Sequence, residues 1–255
     1  MKNQYENLTV CVGRGGQRDM AEAFARRTGV PVSDKAGDEL TLMFDSSGVS
    51  LTGYGLSFRG DFEDMLHRLT DGRLQHEMLV HITKTKKPSP RAVDATAGMG
   101  GDSILLAAAG YSVTMYEQNA VVAALLKDAL RRAKKNPALR EIVGRMSLVE
   151  GDSVEMMKNL SFTPDVVYLD PMFPQRQKTG LVNKKLQLIQ KLERPCADET
   201  ELLNAAQSLR PELIVIKRPL KGAPLAGREP DYTVKGKAIR YDCIKNIAAK
   251  NTDIL

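Results

Sequence analysis

The string Asp170-Pro171-Met172-Phe173-Pro174 follows the apolar run Asp165-Val166-Val167-Tyr168-Leu169. An acid, a proline and then an aromatic, placed where a buried strand should stop, suit the gripping of a planar amine. The Asp170 carboxylate and nearby backbone carbonyls can accept hydrogen bonds from an exocyclic NH2. Pro171 stiffens the turn, and Phe173 offers a face on which a base can stack. The amine of guanine or adenine is a poor nucleophile because its lone pair is delocalised into the ring. Catalysis by Asp170, Pro171 and Phe173 would therefore be mostly positioning, with proton loss afterwards. A target inside folded RNA would have to be splayed out to reach such a grip.

A methyl donor has a candidate seat upstream. Asp94-Ala95-Thr96-Ala97-Gly98-Met99-Gly100-Gly101-Asp102-Ser103 reads as a turn between a strand and a helix. Glycines at Gly98, Gly100 and Gly101 let backbone N–H groups approach a ligand closely, and a helix N-terminus favours polar or anionic groups. Asp94, ending the first strand, can face the ammonium of S-adenosylmethionine, which a dinucleotide lacks. Asp102 is placed either at the ligand or as a helix cap. Glu117 ends the next strand about 20 residues on, the spacing at which a carboxylate reaches both ribose hydroxyls of an adenosine-type cofactor. Gln118 flanks the same ribose. Asp152 and Ser153, after Gly151, can meet the adenine amino group or cap the helix that follows.

These residues need a scaffold that brings strand ends together. From about residue 92 the pattern alternates strand and helix, which implies a parallel sheet wound by helices. Strands are expected at 92–96, 112–117, 146–150, 166–170 and 213–217, and helices at 102–109, 120–134, 154–160, 184–192 and 199–209. Segments 232–235 and 238–244 flank Gly236-Lys237 and read as a hairpin. The expected fold is thus α/β, a Rossmann-like, mostly parallel sheet closed by an antiparallel terminal hairpin. Residues 1–60 read as a small α+β unit, with a strand at 8–12, a helix at 17–27 and a hairpin from 39–44 and 49–54. A helical stretch at 62–82 and the polar segment 83–90 form a connector over 61–90, leaving 91–255 as the main domain.

Composition bounds the alternatives. The chain has 255 residues, is 42% hydrophobic and carries a net charge of +6, a balance that favours a polyanionic partner. Arg176, Lys178, Lys184 and Lys185 follow the amine grip, and Lys217 and Arg218 end a later strand. All six are expected to bind RNA phosphates. No apolar run approaches the roughly 18–20 residues needed to cross a bilayer, and the start lacks a signal-peptide core. Three dispersed cysteines, Cys11, Cys196 and Cys243, form neither a disulfide framework nor a metal spacing, which fits the cytoplasm. His67, His76 and His81 are spaced by nine and five residues and make no metal face, so no metal is expected. Val12-Gly13-Arg14-Gly15-Gly16 reads as a turn, and Cys196 lacks a nearby base that would make it a nucleophile.

Val93-Asp94-Ala95-Thr96-Ala97-Gly98-Met99-Gly100-Gly101-Asp102, residues 121–126, Val167-Tyr168-Leu169-Asp170-Pro171-Met172-Phe173-Pro174 and Val215-Ile216-Lys217-Arg218-Pro219 together resemble the bacterial small-subunit ribosomal RNA guanine-N2 methyltransferases of the J type. The resemblance covers roughly residues 90–245. It implies methyl transfer from S-adenosylmethionine to the exocyclic amine of one guanosine in 16S rRNA, with that RNA or the small subunit as partner. It also implies cofactor contacts at Gly101, Asp102, Glu117, Gln118, Asp152, Ser153 and Asp170. The chain departs from the family pattern at Gly101 and Gln118, where members often carry arginine. Their Arg/Gly-rich helix before the main domain survives only in parts such as His67-Arg68 and Gly72-Arg73. The amine grip alone leaves open adenine N6 or a protein amine as the target; the rival role is a non-catalytic RNA-binding assembly factor, against which an intact Asp170–Phe173 argues.

Overall fold

The protein is described here from a computed structural model covering residues 5, 7–37, 39–172, 188, 189, 192 and 198–246. The N-terminal strands β1 (Leu8–Val12), β2 (Val32–Ser33), β3 (Leu40–Asp45), β4 (Gly48–Gly53) and β5 (Leu56–Phe58) form one sheet in the order β2-β1-β3-β4-β5. β1 runs parallel to both neighbours, and β3, β4 and β5 pair antiparallel. Helix α1 (Arg18–Thr28) buries Ala21, Phe24 and Ala25, one helical face at three- and four-residue spacing. It ends on Gly29, whose φ of 71° suits only a residue without a Cβ penalty. β1 and the β3–β4 hairpin fall where the sequence puts them; the short strands β2 and β5 are additional.

The expected helix at 62–82 is broken. A 3-10 turn (Phe62–Met65), α2 (Asp71–Leu74) and α3 (Met78–Ile82) stand in its place. Thr70 (ψ 143°) and Glu77 (ψ 123°) are extended and interrupt it.

The second sheet contains β6 (Arg91–Asp94), β7 (Ser112–Glu117), β8 (Met146–Glu150), β9 (Val166–Leu169), β10 (Leu213–Pro219), β11 (Tyr232–Lys235) and β12 (Ile239–Lys245). Their order is β11-β12-β10-β9-β6-β7-β8, and among the described strands only β12 runs against the rest. Helices α4 (Gly101–Ala108), α5 (Ala120–Ala133), α6 (Arg140–Gly144), α7 (Ser153–Lys158) and α8 (Glu199–Ser208) cover it. All four residues of β9 are buried, as a strand covered on both faces requires. β6 lies between β7 and β9, where the strand order reverses, and open α/β sheets bind ligands in the crevice at that point. No helix among the described residues is long and apolar enough to cross a membrane.

Helix α5 joins the two sheets. Ala120, Val121, Val122 and Leu125 pack with the N-terminal core, together with Leu188, Ile189 and Leu192. Leu126, Ala129, Leu130 and Ala133 pack into the core of the second sheet. Asp128 pins the junction: Arg131 Nη2 donates to it at 2.6 Å and Arg132 Nε at 2.9 Å, and the Val49 backbone also bonds it. Arg132 continues to Asp61 at 2.9 Å and to the Gly60 carbonyl. Burial pushes the Asp128 carboxyl up, but Arg132, Arg131 and the Val49 backbone hold it below the usual carboxylate range. Asp128→Ala would take a buried carboxylate from Arg131, Arg132 and the Val49 backbone at once, Arg132 keeping Asp61, and is expected to cost about 2–3 kcal/mol. Urea unfolding of variant and wild type measures this difference.

Candidate active site

The site starts where β6 ends. Past Asp94 the chain is tied alternately to both neighbouring strands: Ala95 N donates to Tyr168 O and Ala97 N to Tyr116 O, each at 3.1 Å. The next donor, Gly98 N, goes to Glu117 Oε2 at 2.9 Å. Gly98 (φ 52°) and Gly100 (φ 74°) both adopt left-handed backbone. At Gly100 a side chain would press on Leu126 and the Phe62 ring, whereas at Gly98 and Gly101 a Cβ would stand in open space. Gly100 permits close packing behind the turn; Gly98 and Gly101 leave room in front of it.

Asp94 lies beneath the turn with 1% of its surface exposed. Its Oδ1 accepts from Thr96 N at 3.1 Å and its Oδ2 from Ser103 Oγ at 2.5 Å. Burial pushes its carboxyl up to about 7, against the opposing hydrogen bonds. The structure thus spends both Asp94 oxygens on shaping the turn. Glu117 is a second organiser, because its Oε1 accepts from Asn119 N at 2.7 Å while Oε2 holds Gly98. Asn119 caps α5 by accepting from Val121 N at 3.0 Å and reaches Leu192 O with its amide. Asp152 caps α7 by accepting from Val154 N at 2.8 Å, so its capping reading holds while it also faces the crevice.

The crevice is a cavity of about 730 Å³, a size typical of small-molecule and cofactor sites. Among the described residues it gathers Asp94, Gly98, Gly101, Asp102, Glu117, Gln118, Asp152, Ser153, Asp170 and Pro171. Gly100 lies behind the turn instead. Phe173, Arg176, Lys178, Lys184, Lys185 and Cys196, and most of the expected helix at 184–192, lie outside the described residues.

Two sequence expectations are corrected. Asp102 does not cap α4, because Gly100 is the N-cap and makes no side-chain bond. Its carboxylate instead accepts from Tyr168 Oη at 2.7 Å and Lys217 Nζ at 2.8 Å. Lys217 and Arg218 are not free phosphate binders. Lys217 Nζ also lies 2.9 Å from Asp170 Oδ2, so its charge is shared by two carboxylates inside the crevice. Arg218 is 4% exposed, with Nε on Ala223 O at 2.8 Å and Nη1 on Glu199 at 3.3 Å. The run Lys217-Arg218-Pro219 looks like an exposed basic tip because those partners lie far away in sequence. Arg68 is a wall residue that the spacing of motifs does not reveal. It grips Glu77 with Nε and Nη2, both at 2.7 Å, across the break in the connector.

At Asp170 the backbone N donates to Thr96 Oγ1 at 2.6 Å. Burial raises its carboxyl, and Lys217 offsets part of that rise. Burial would lower the Lys217 ammonium, but Asp102 and Asp170 together hold it above its ordinary value. No cluster of three or more metal-ligating side chains occurs among the described residues.

Sheet order and crevice define an S-adenosylmethionine-dependent methyltransferase, and residues 30–246 match the family described as "Putative SAM-dependent methyltransferase". A solved SAM-dependent methyltransferase from Neisseria gonorrhoeae superposes with a TM-score of 0.73 at 31% identity, covering 94% of this chain and 96% of that one. The ribosomal RNA small subunit methyltransferase J of Thioalkalivibrio sulfidiphilus is 36% identical over 235 residues, 88% of this chain and 92% of the relative. That of Pseudomonas aeruginosa strain LESB58 is 35% identical, over 89% of this chain and 90% of its own. This chain belongs to the ribosomal RNA small subunit methyltransferase J family.

The cofactor of that family fits the residues present. The open space before Gly98 and Gly101 is a cradle that any side chain would fill, and Glu117 and Asp152 supply acceptors at the two neighbouring strand ends.

Asp94 also makes a stability prediction. Its pKa lies near 7 in the folded state and near 3.9 when unfolded, so the native state prefers the protonated form. Its contribution is therefore fully present below about pH 4 and is lost as pH rises through 7. The unfolding free energy of wild type relative to Asp94→Asn should fall over that window by an amount on the order of 4 kcal/mol. Denaturation of both proteins at several pH values tests the slope, and parallel curves would contradict it.

Proposed function

We propose that the protein transfers a methyl group to the exocyclic N2 amine of a guanosine in 16S rRNA, in the cytoplasm where that RNA is assembled. The observation carrying this reading is Asp170 at the tip of β9. One carboxylate oxygen is held by Lys217, and the other has no hydrogen bond among the described residues. An ionised carboxylate is acceptor-only. It matches the adjacent N1–H and N2–H donors of guanine, whereas adenine presents an acceptor at N1 beside its amine.

Glu117 and Gln118 would hold the ribose and Asp152 with Ser153 the adenine edge. Gly98 and Gly101 would admit the amino-acid portion, with Asp102 supplying negative charge nearby and Asp94 shaping the turn from beneath. S-adenosylmethionine, when bound, supplies an electrophilic methyl group on a sulfonium. Asp170 orients the amine and takes up the proton that its nitrogen loses; Pro171, buried, keeps that carboxylate from swinging away. Phe173 would stack on the base, contributing on the order of 1–3 kcal/mol. Arg176, Lys178, Lys184 and Lys185 remain the proposed phosphate contacts.

Three outcomes are expected. Asp170→Ala abolishes methylation of 16S rRNA that lacks this modification, while calorimetry shows S-adenosylhomocysteine binding only moderately changed; full activity would remove Asp170 from the mechanism. Glu117→Gln weakens S-adenosylhomocysteine by about 10- to 100-fold, the loss of roughly 1.5–3 kcal/mol from charge-assisted hydrogen bonds. Reversing Lys184 and Lys185 lowers the salt dependence of RNA binding, each lost phosphate contact flattening the log–log slope by about 0.7–0.9.

A further inference from the structure

Tyr168 and Asp170 stand two residues apart at the end of β9, where the two-residue period of extended backbone puts both side chains on one face. From there the contacts leave the strand and return to it. Tyr168 Oη donates to Asp102 Oδ2 at 2.7 Å. Lys217 Nζ donates to the same oxygen at 2.8 Å and to Asp170 Oδ2 at 2.9 Å. Four side chains, from β9, the residue after it, α4 and β10, thus form a loop of contacts that the backbone from Tyr168 to Asp170 closes. Thr96 fixes the backbone of the fourth from the glycine turn, accepting from Asp170 N at 2.6 Å.

We infer that Lys217 is a positioning residue for methyl transfer, pinning one oxygen of Asp170 so that the other meets the substrate amine as an ionised acceptor. This rests on the reading of Asp170 under Proposed function. Two carboxylates sharing a buried site resist ionising together. Asp102 and Asp170 share the single ammonium of Lys217, with 25% of that side chain exposed. Were Asp170 to hold a proton, its hydroxyl would donate and the grip on an N–H would fail. The other charged or titratable groups around Asp170 do not replace Lys217. Arg218 favours the ionised Asp170 through space, but less than Lys217 does, and its hydrogen bonds include those to Glu199 and Ala223; Arg68 bonds Glu77. Asp94, Tyr168 and Tyr241 offer no cation. That loop also explains why a lysine inside the crevice leaves room for a cationic cofactor: its charge is already neutralised twice over.

The test compares wild type, Lys217→Met, Lys217→Arg and Asp102→Asn. Carbon-13 NMR of labelled aspartate follows Asp170 titration without any substrate, and kcat is measured against pH on unmodified 16S rRNA. In Lys217→Met, Asp170 should titrate higher by about one pH unit or more, and the acid limb of kcat should move with it. On the acid limb kcat should fall by about tenfold for each unit of that shift, while S-adenosylhomocysteine affinity stays within about threefold. Lys217→Arg should restore both positions in part. Asp102→Asn frees Lys217 for a single partner, so Asp170 should titrate lower; this variant decides the matter if Lys217→Met does not fold. Unmoved Asp170 titration in both variants, or a cofactor affinity that collapses in step with kcat, overturns the inference. If wild type methylates no guanosine, the functional reading fails, and the NMR comparison still decides what Lys217 does to Asp170.

Discussion

A turn that opens onto a ligand crevice must hold its shape largely by bonds to its surroundings, and the turn after β6 does so with its neighbours, Gly100 N closing it on Ala97 O at 2.8 Å. Ala95 is bonded to β9, Ala97 to β7 and Gly98 to the Glu117 carboxylate. Such three-way anchoring is available only to a central strand flanked on both sides, and β6 occupies that place at the reversal of strand order. Glu117 gains a fixed orientation from the same contacts, since its two oxygens hold Gly98 and Asn119. Asp94 completes the arrangement from below by bonding Thr96 and Ser103. The crevice, its acceptors and the reach of Asp170 all depend on these few bonds around β6.

Much of this was legible in the chain because its determinants are local. β7 and β8 run over the expected residues, since each is an apolar stretch bounded by a turn signal and an acid. The hairpin of β11 and β12 follows from Gly236-Lys237 between two β-rich runs. Errors arose where distant partners decide. Leu66, Leu69 and Leu79 have helix-like spacing, but Arg68 clamps Glu77 across an extended break, and no periodicity encodes that fork. β2 is two residues long and exists because β1 offers it an edge. Lys217 reads as a surface cation until α4 brings Asp102 from 115 positions away.

The N-terminal sheet does not pack only on itself. One half of α5 completes its core and the other half completes that of the second sheet, with Asp128 between them bonded to the β4 backbone. The connector then touches the glycine turn from behind: the Phe62 ring sits against Gly100, and Met99 packs on Gly60. A displacement of the N-terminal sheet would therefore be felt at the turn through α5 and Phe62, without any residue of that sheet entering the crevice.

Charge divides the molecule in a way that bears on which part of an RNA can enter. Among the described residues, seven carboxyl groups and two cations, Arg68 and Lys217, line the crevice, and both cations are paired with carboxylates. The chain as a whole carries +6. An acidic interior attracts a sulfonium bearing an ammonium and repels phosphate, at short range and little screened. A nucleotide approaching Asp170 must then leave its phosphates outside and present only the neutral base. That requirement favours a base already free of its stack. The same acidity gives weight to the ammonium of Lys217 between Asp102 and Asp170, because neighbouring carboxylates in a buried site otherwise favour holding protons.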